Sequence, residues 1–223
     1  MNKIIETIES AKHIELVATQ ENISVATALY TYILTQHKKV SLVLKEGYVE
    51  SKYSFLPWFE KIKSTPTPSA DCSIVIKLSA LELYNIFKSN AIKINNKMAT
   101  SLYSALLVES EGFKTTKVDG TLFAVCSELI AFGADYKVAT EVIVHQLSLS
   151  ELRLKSLMLK EMKLVDSATT SQFSVSDLML QESGADIEIA KRVIKEGLRL
   201  PYVTKTILIN EKLELILKIE KEI

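Results

Sequence analysis

Three consecutive polar residues follow a short apolar run near the middle of the chain. The run 91–94 alternates apolar and polar positions, which is typical of a β-strand. Asn95, Asn96 and Lys97 come directly after it. Because α/β folds place binding groups at the carboxyl ends of their strands, we expect these side chains to lie at a site. Carboxamides and a lysine are poor ligands for hard divalent cations, which prefer carboxylates.

The composition is that of a well-packed globular chain. Of its 223 residues 48% are hydrophobic, and only 6 are Gly and 4 are Pro. The 27 basic and 27 acidic residues balance, so no overall positive field favours a nucleic acid. No apolar run reaches the roughly 18 residues of a transmembrane helix. Glu6 and Glu9 interrupt any signal peptide, which predicts a cytoplasmic protein.

The first half of the chain predicts alternating helices and strands. Helices are expected over 2–11 and 24–36, and strands over 13–18, 39–44 and 72–78. A strand–helix–strand order implies a parallel sheet with a crossover helix. The strand over 72–78 is nearly all apolar, so we expect it to be central and buried.

Helices dominate the next part of the chain, and a mixed pattern follows. Further helices are predicted over 80–88, 98–107, 121–132, 137–146 and 150–164, the last with a lysine-rich face typical of a connector. Strands are then predicted over 170–175, 204–210 and 212–219, with helical segments over 176–181 and 187–196 and a hairpin turn at Asn210. We therefore expect an α/β fold: a parallel-sheet N-terminal domain over 1–148, a linker helix over 149–164 and a small α+β domain over 165–223.

An aromatic run forms the second candidate region. It consists of Tyr48, Tyr53, Phe55, Trp58 and Phe59. These residues can pack over an edge of the sheet or form a surface for a partner protein, because aromatic side chains dominate interface hot spots. We expect Trp58 or its neighbours in a protein interface, so that Trp58→Ala weakens partner binding and leaves the thermal melt nearly unchanged.

Other residues that could carry chemistry lack a supporting pattern. His13, His37 and His145 have no metal-type spacing, so we expect ordinary surface or helix-terminal histidines. Cys72 and Cys126 lie in apolar segments and are expected to be free thiols. No Gly-rich phosphate loop and no Gly-x-Ser-x-Gly elbow is present. We expect neither a metal nor a cofactor.

Two segments carry a resemblance to a known family. They are 101–113, SLYSALLVESEGF, and 127–135, SELIAFGAD. With the order of the elements and the pattern over 173–219, they resemble the DHH/DHHA1 phosphoesterases, the oligoribonucleases and cyclic-dinucleotide hydrolases related to RecJ. The resemblance covers most of the chain. It implies a DHH-like N-terminal domain and a truncated DHHA1-like C-terminal domain.

The resemblance also shows where this sequence departs from the family pattern. Family enzymes hold two divalent metals, usually manganese, with aspartates and histidines from four motifs. The corresponding positions here are 19–24, without aspartate, Lys77 after the third strand, Asn95, Asn96 and Lys97 in place of Asp-His-His, and Glu109. A site for two metals needs several carboxylates, so these substitutions imply a degenerate site.

Three interpretations of the degenerate site remain. Lys77, Lys97 and Glu109 neutralise one another where the metals would lie, which we expect. Alternatively, Lys77 and Lys97 bind a phosphate or another anion, or metal catalysis is retained.

Three classes of function follow. We expect a non-catalytic DHH-like protein that binds another protein as a scaffold, adaptor, assembly factor or chaperone. The alternatives are a sensor that binds a nucleotide or anion, and a divergent metal-dependent phosphoesterase acting on small nucleotides. No nucleic-acid partner is expected. The identity of the partner protein and the oligomeric state stay open.

Overall fold

The computed structural model describes residues 3–45, 47, 49–116 and 118–221. Tyr48 and Asn2, which the sequence placed in the aromatic run and the first helix, lie outside these residues. The contacts of the chain divide it into two units, 1–146 and 147–223. Each unit buries its own set of apolar side chains.

Four parallel strands form the centre of the first unit. They are β1 (His13–Ala18), β2 (Lys39–Leu44), β3 (Ile62–Lys63) and β4 (Cys72–Val75), in the order β3-β2-β1-β4. Ile14 and Leu16 of β1 are fully buried, as expected for an inner strand of a parallel sheet. The predicted α/β class with a parallel sheet is confirmed.

Helices surround this sheet. They are α1 (Lys3–Ser10), α2 (Ile23–Thr35), α3 (Ala80–Ser89), α4 (Asn96–Glu109), α5 (Gly120–Ala131) and α6 (Tyr136–Thr140), with 3-10 turns at Ser51–Phe55 and Phe59–Lys61 and a π turn at Glu141–His145. Helix α2 is the predicted crossover between β1 and β2. All its residues from Ile23 to Ile33 are buried, which fits its predominantly apolar sequence.

The strand predicted over 91–94 is wrong, because this segment closes one helix and begins the next. Ala91 has φ +51°, its N–H donates to Lys88 O and the N–H of Ile92 donates to Phe87 O at 2.9 Å. These two bonds are a Schellman motif at the end of α3. With its N–H used in this motif, Ile92 does not pair with a strand. The alternation of the run reflects one buried side chain, Ile94, between two helices.

The third predicted strand is shorter than expected and lies elsewhere in the sheet. Strand β4 ends at Val75 and pairs with β1 alone, so it is an edge strand rather than a central one. Its residues alternate between half-buried and exposed, and Val75 is 44% exposed. An apolar run of this length does not distinguish an edge strand from an inner one, which explains the wrong position.

The second unit is a mixed sheet with helices. Its elements are α7 (Leu149–Glu161), β5 (Lys163–Val165), β6 (Thr170–Ser174), α8 (Asp177–Ser183), α9 (Ile187–Val193), a 3-10 turn (Ile194–Arg199), β7 (Lys205–Ile209) and β8 (Leu215–Glu220). The strands lie in the order β5-β6-β7-β8. β7 and β8 form the predicted antiparallel hairpin, and the side chain of Asn210 accepts from the N–H groups of Lys212 and Glu214 in its loop.

Helix α7 belongs to the second unit. Leu154 and Met158 are fully buried in that unit's core. The helix ends at Glu161, and the residues that the sequence assigned to its last turn begin strand β5 instead. The domain division at 148 and 165 stays a prediction. Within the described ranges, no helix is both long enough and apolar enough to cross a membrane.

Lys38 caps the C-terminal end of α1. Its ammonium group donates to the carbonyl oxygens of Ile8 at 2.6 Å and Ala11 at 2.8 Å, and also to that of Glu9. The last carbonyls of a helix have no partner within the helix and carry partial negative charge. One side chain therefore ties the start of the chain to the end of α2.

We expect Lys38→Met to reduce the free energy of unfolding of the first unit by about 1–3 kcal/mol, since charge-assisted hydrogen bonds are lost. The exposed neighbour provides a matched control: Lys39→Met should change it by less than about 0.5 kcal/mol. Urea unfolding followed by the fluorescence of Trp58, the 1 tryptophan of the chain, reports on this unit. Equal effects of the two substitutions would contradict the capping role.

Candidate functional site

Four of the five residues predicted to share one site lie at the two ends of helix α4, and the fifth, Lys77, follows strand β4. Asn95 caps its N-terminus, where its side-chain oxygen accepts from the N–H of Met98 at 3.0 Å. Asn96 and Lys97 begin the helix, and Glu109 is its last residue. A helix of 14 residues is about 20 Å long, so the structure does not bring Lys97 to Glu109. The expected neutralisation of one by the other is not observed.

Glu109 lies beside the start of α3, the helix that follows the carboxyl end of strand β4. We call the region at the carboxyl ends of the strands the carboxyl edge of the sheet. Glu109 Oε1 accepts from the backbone N–H of Ala80, the first residue of α3, at 2.8 Å. Although the residue as a whole is exposed, desolvation of the carboxyl group raises the pKa of Glu109. The hydrogen bond from Ala80 acts in the opposite direction, and the nearby charge of Glu82 adds to the increase. The carboxylate therefore serves as a second cap for α3.

Other polar groups at this edge also bind backbone atoms. Ser79 and Glu82 form a capping box at the start of α3, in which Glu82 Oε2 accepts from the N–H of Ser79 at 2.7 Å. Asn22 accepts from the N–H of Thr19 at 2.8 Å and donates to the carbonyl oxygen of Ile76 at 3.0 Å. These groups fix the loops after β1 and β4. Each is already used by the fold.

The residues at this edge do not fit a site for two divalent metals. Lys77, which follows β4, is exposed and brings a positive charge to the position where the family pattern has an aspartate. The two carboxylates at the start of α3, Glu109 and Glu82, accept backbone hydrogen bonds. Among the described residues, no group of three or more His, Cys, Asp or Glu side chains could hold a metal ion. Two divalent cations require several free carboxylates or imidazoles, which this arrangement does not supply.

Lys97 contacts the aromatic run instead. Its ammonium group lies 4.0 Å from the centroid of the Trp58 ring, a cation–π distance. The indole N–H of Trp58 donates to Thr31 Oγ1 of α2 at 3.0 Å, and its ring lies 5.7 Å from that of Tyr30. Trp58 has φ +67°, a strained conformation for a bulky residue. These contacts hold Trp58 against both α2 and α4.

The rest of the aromatic run also packs against the first core. Tyr53 is 3% exposed, and Phe55 and Phe59 are half-buried. Tyr48 lies outside the described residues. The contacts of this segment therefore correspond to packing against the core of the first unit, and its role as an interface stays a prediction.

His37 and His145 are exposed, as expected. His13 is buried, contrary to the expected surface position: its Nδ1 lies 2.9 Å from Ser69 O and its Nε2 3.0 Å from Ser41 Oγ. Cys72 and Cys126 are free, as expected. Burial raises the pKa of Cys126 to about 11, so its thiol stays protonated at neutral pH.

Sequence reasoning missed the polar contacts between α2 and α4. Thr27 Oγ1 donates to Ser101 Oγ at 3.0 Å, and Thr31, one turn along α2, accepts from Trp58. The signal was present, because Thr27 and Thr31 are spaced i, i+4 within an otherwise apolar helix. Such a pair in a fully buried helix indicates a polar partner on the neighbouring element.

Comparisons with known proteins support the fold. An exopolyphosphatase-related protein from Bacteroides fragilis aligns with a TM-score of 0.76 at 14% identity, over 93% of this chain and 78% of that one. A putative family II inorganic pyrophosphatase from Methanococcus jannaschii aligns over 88% of this chain and 83% of that one at 11% identity, and its TM-score of 0.35 supports no argument. No family model and no curated protein matches the sequence. The chain therefore has the same overall fold as the exopolyphosphatase-related protein.

We expect Trp58→Ala to lower the free energy of unfolding by about 2–4 kcal/mol, because a half-buried ring and its hydrogen bond are lost. Trp58→Phe keeps a ring without the N–H donor and should cost less. Lys97→Met should lower the free energy of unfolding of the wild type by about 0.5–1 kcal/mol. In the Trp58→Ala background it should cause no further decrease, because the ring is already absent. Circular dichroism melts of the wild type, Trp58→Ala, Lys97→Met and the double variant measure this coupling. An unchanged melt for Trp58→Ala would restore the interface interpretation.

Two carboxylates at the start of α3 should respond to pH with opposite sign. Because the pKa of Glu109 is raised, the folded state favours its protonated form. The free energy of unfolding therefore decreases as pH rises above the ordinary pKa of 4.5 and the carboxyl group ionises. We expect Glu109→Gln to stabilise the protein at pH 7, with the difference vanishing in acid.

The pKa of Glu82 is lowered by the hydrogen bonds from the N–H and hydroxyl of Ser79, so its stabilisation is present above 4.5 and lost as pH falls. Glu82→Gln should therefore destabilise at pH 7. Urea unfolding from pH 3 to pH 8 compares the two variants. Shifts of the same sign would disprove the assignment.

Proposed function

We propose that this chain is a non-catalytic protein with a DHH-like phosphoesterase fold, and that it binds another protein as a scaffold, adaptor or assembly factor in the cytoplasm. The observation that carries the proposal is the hydrogen bond between Glu109 and Ala80, with Lys97 about 20 Å away at the other end of α4. The polar residues of the candidate site are used to cap helices and fix loops.

The chemistry of these groups supports the absence of catalysis. Metal-dependent hydrolysis needs ligands that hold two cations and orient a water between them. Lys77 contributes a positive charge rather than a ligand, and the Glu109 carboxylate already accepts a hydrogen bond.

The surface of the first unit supports a protein partner. Helix α5 and the residues after it expose large apolar side chains without burying them in the core. They are Phe123 (53% exposed), Ile130 (39%), Phe132 (37%), Tyr136 (38%) and Val138 (39%). Exposed apolar side chains that form a contiguous patch mark interaction sites in globular proteins. A neutral chain with 27 charges of each sign favours such a partner over a nucleic acid.

The proposal predicts that the purified protein neither binds manganese stoichiometrically nor hydrolyses phosphate esters. Calorimetry with Mn²⁺, followed by assays with polyphosphate, pyrophosphate and a short dinucleotide, tests this. Glu109→Gln is the matched variant, and it should give the same null results.

Two other results would identify the alternatives. A tight manganese site with turnover that Glu109→Gln abolishes would make the chain a divergent phosphoesterase. Binding of the dinucleotide without turnover, weakened by Lys77→Met, would make it a sensor.

A further inference from the structure

Helix α7 has apolar residues on two opposite faces. One face packs into the second unit, where Leu154 and Met158 are fully buried. Ion pairs flank that face: Lys155 with Glu196 at 2.8 Å, and Arg192 with Glu151 at 3.4 Å. The outer face of a helix in a globular protein is ordinarily polar, because it lies in water.

The outer face of α7 instead carries leucines at heptad spacing. Leu149 is 62% exposed, Leu152 54% and Leu159 39%, and exposed Ser156 lies between the last two. The spacings of three, four and three residues correspond to the a and d positions of a coiled coil. We call these four residues the leucine stripe. Its pattern matches the seam between two helices of a coiled coil, and no partner helix among the described residues covers it.

The charges beside the leucine stripe are positive. Arg153 and Lys160 occupy the e positions next to the d leucines, and both are exposed. Within the part of the chain that the structure describes, neither takes part in an ion pair. Charges at e and g select the partner of a coiled coil, since they lie against the e and g charges of the other helix.

A second copy of α7 fits this seam poorly. In an antiparallel pair, Arg153 and Lys160 would face the same two cations of the other copy. In a parallel pair, Lys160 would face Lys155, which occupies a g position. Both arrangements place like charges side by side, which disfavours the homodimer.

We propose that the leucine stripe binds an amphipathic helix of another protein, one with apolar residues at its a and d positions and acidic residues beside them. The leucines would be buried in the seam, and Arg153 and Lys160 would pair with the acidic side chains. This inference rests on the proposed function, that the chain binds another protein, and it specifies the chemistry of that partner.

Two designed peptides of about four heptads test the inference. Both carry Leu at a and d; the acidic peptide has Glu at e and g, and the basic peptide has Lys there. Each repels itself at pH 7 and so stays available for binding. In fluorescence anisotropy with the full chain, the acidic peptide should bind at least tenfold more tightly than the basic one.

Matched variants distinguish the stripe from other surfaces. Leu152→Glu should weaken the acidic peptide at least tenfold, whereas Leu178→Glu, at a leucine of α8 that is 60% exposed, should not. The double variant Arg153→Glu/Lys160→Glu should reverse the preference, so that the basic peptide binds more tightly. A reversal cannot come from misfolding, and circular dichroism checks that all variants remain helical.

Three results would overturn the inference: no binding of either peptide, equal binding of both, or a wild-type dimer in sedimentation that Leu152→Glu dissociates. The last would assign the stripe to a second copy. The manganese-binding and hydrolysis assays are performed on the same protein preparation, so that the two proposals are tested separately. Turnover there contradicts the proposed function whatever the peptides do, whereas failed peptide binding without turnover removes only this surface.

Discussion

The length of helix α4 constrains the candidate site. Asn95 caps its first turn and Glu109 ends it, so two groups that a two-metal site would need together are about 20 Å apart. An α-helix is a rigid spacer, and no side-chain rotation closes such a distance. The other contacts follow from it: Lys97 lies over Trp58 at one end, and Glu109 binds the start of α3 at the other.

The carboxyl edge of the sheet therefore has a structural role. In open α/β folds this edge is where ligands bind, because loops and helix N-termini converge there. Here the same convergence is used to satisfy backbone groups: Asn22 joins the loops after β1 and β4, and Glu109 and Glu82 each accept an N–H at the start of α3. The described carboxylates of this region are therefore already used in hydrogen bonds to the backbone.

The sequence predicted those parts of the fold whose signals are local and redundant. β1, α2 and β2 have apolar periodicity and short connections that agree with one another, and the β7–β8 hairpin has two strand patterns next to a turn residue. The segment 91–94 was misread because a strand alternation and a Schellman turn with one buried isoleucine give the same short pattern. Glycine is the usual residue at a positive φ. Because this turn has Ala91 at φ +51° instead, the sequence carried no glycine signal for the end of α3.

The site was predicted less well than the fold, because a site depends on distance. The residue types at Lys77, Asn95, Asn96, Lys97 and Glu109 were sufficient to argue against metal ligation. The prediction that they lie together came from the family resemblance. It required a strand before Asn95 and an interruption before Glu109, whereas the chain forms one continuous helix from Asn96 to Glu109. Trp58 is likewise a residue type that is common at interface hot spots. Its described contacts, however, are with Thr31, Tyr30 and Lys97 of the same chain.

Anomalous diffraction from crystals soaked in manganese shows whether this chain holds metal ions, because it locates any bound metal and shows helix α4 in one experiment. We expect no manganese peak beside Glu109, a continuous α4 from Asn96 to Glu109, and an intact hydrogen bond from the N–H of Ala80 to the Glu109 carboxylate. Two manganese peaks at the carboxyl edge, with Glu109 turned away from Ala80 to ligate them, would contradict this expectation.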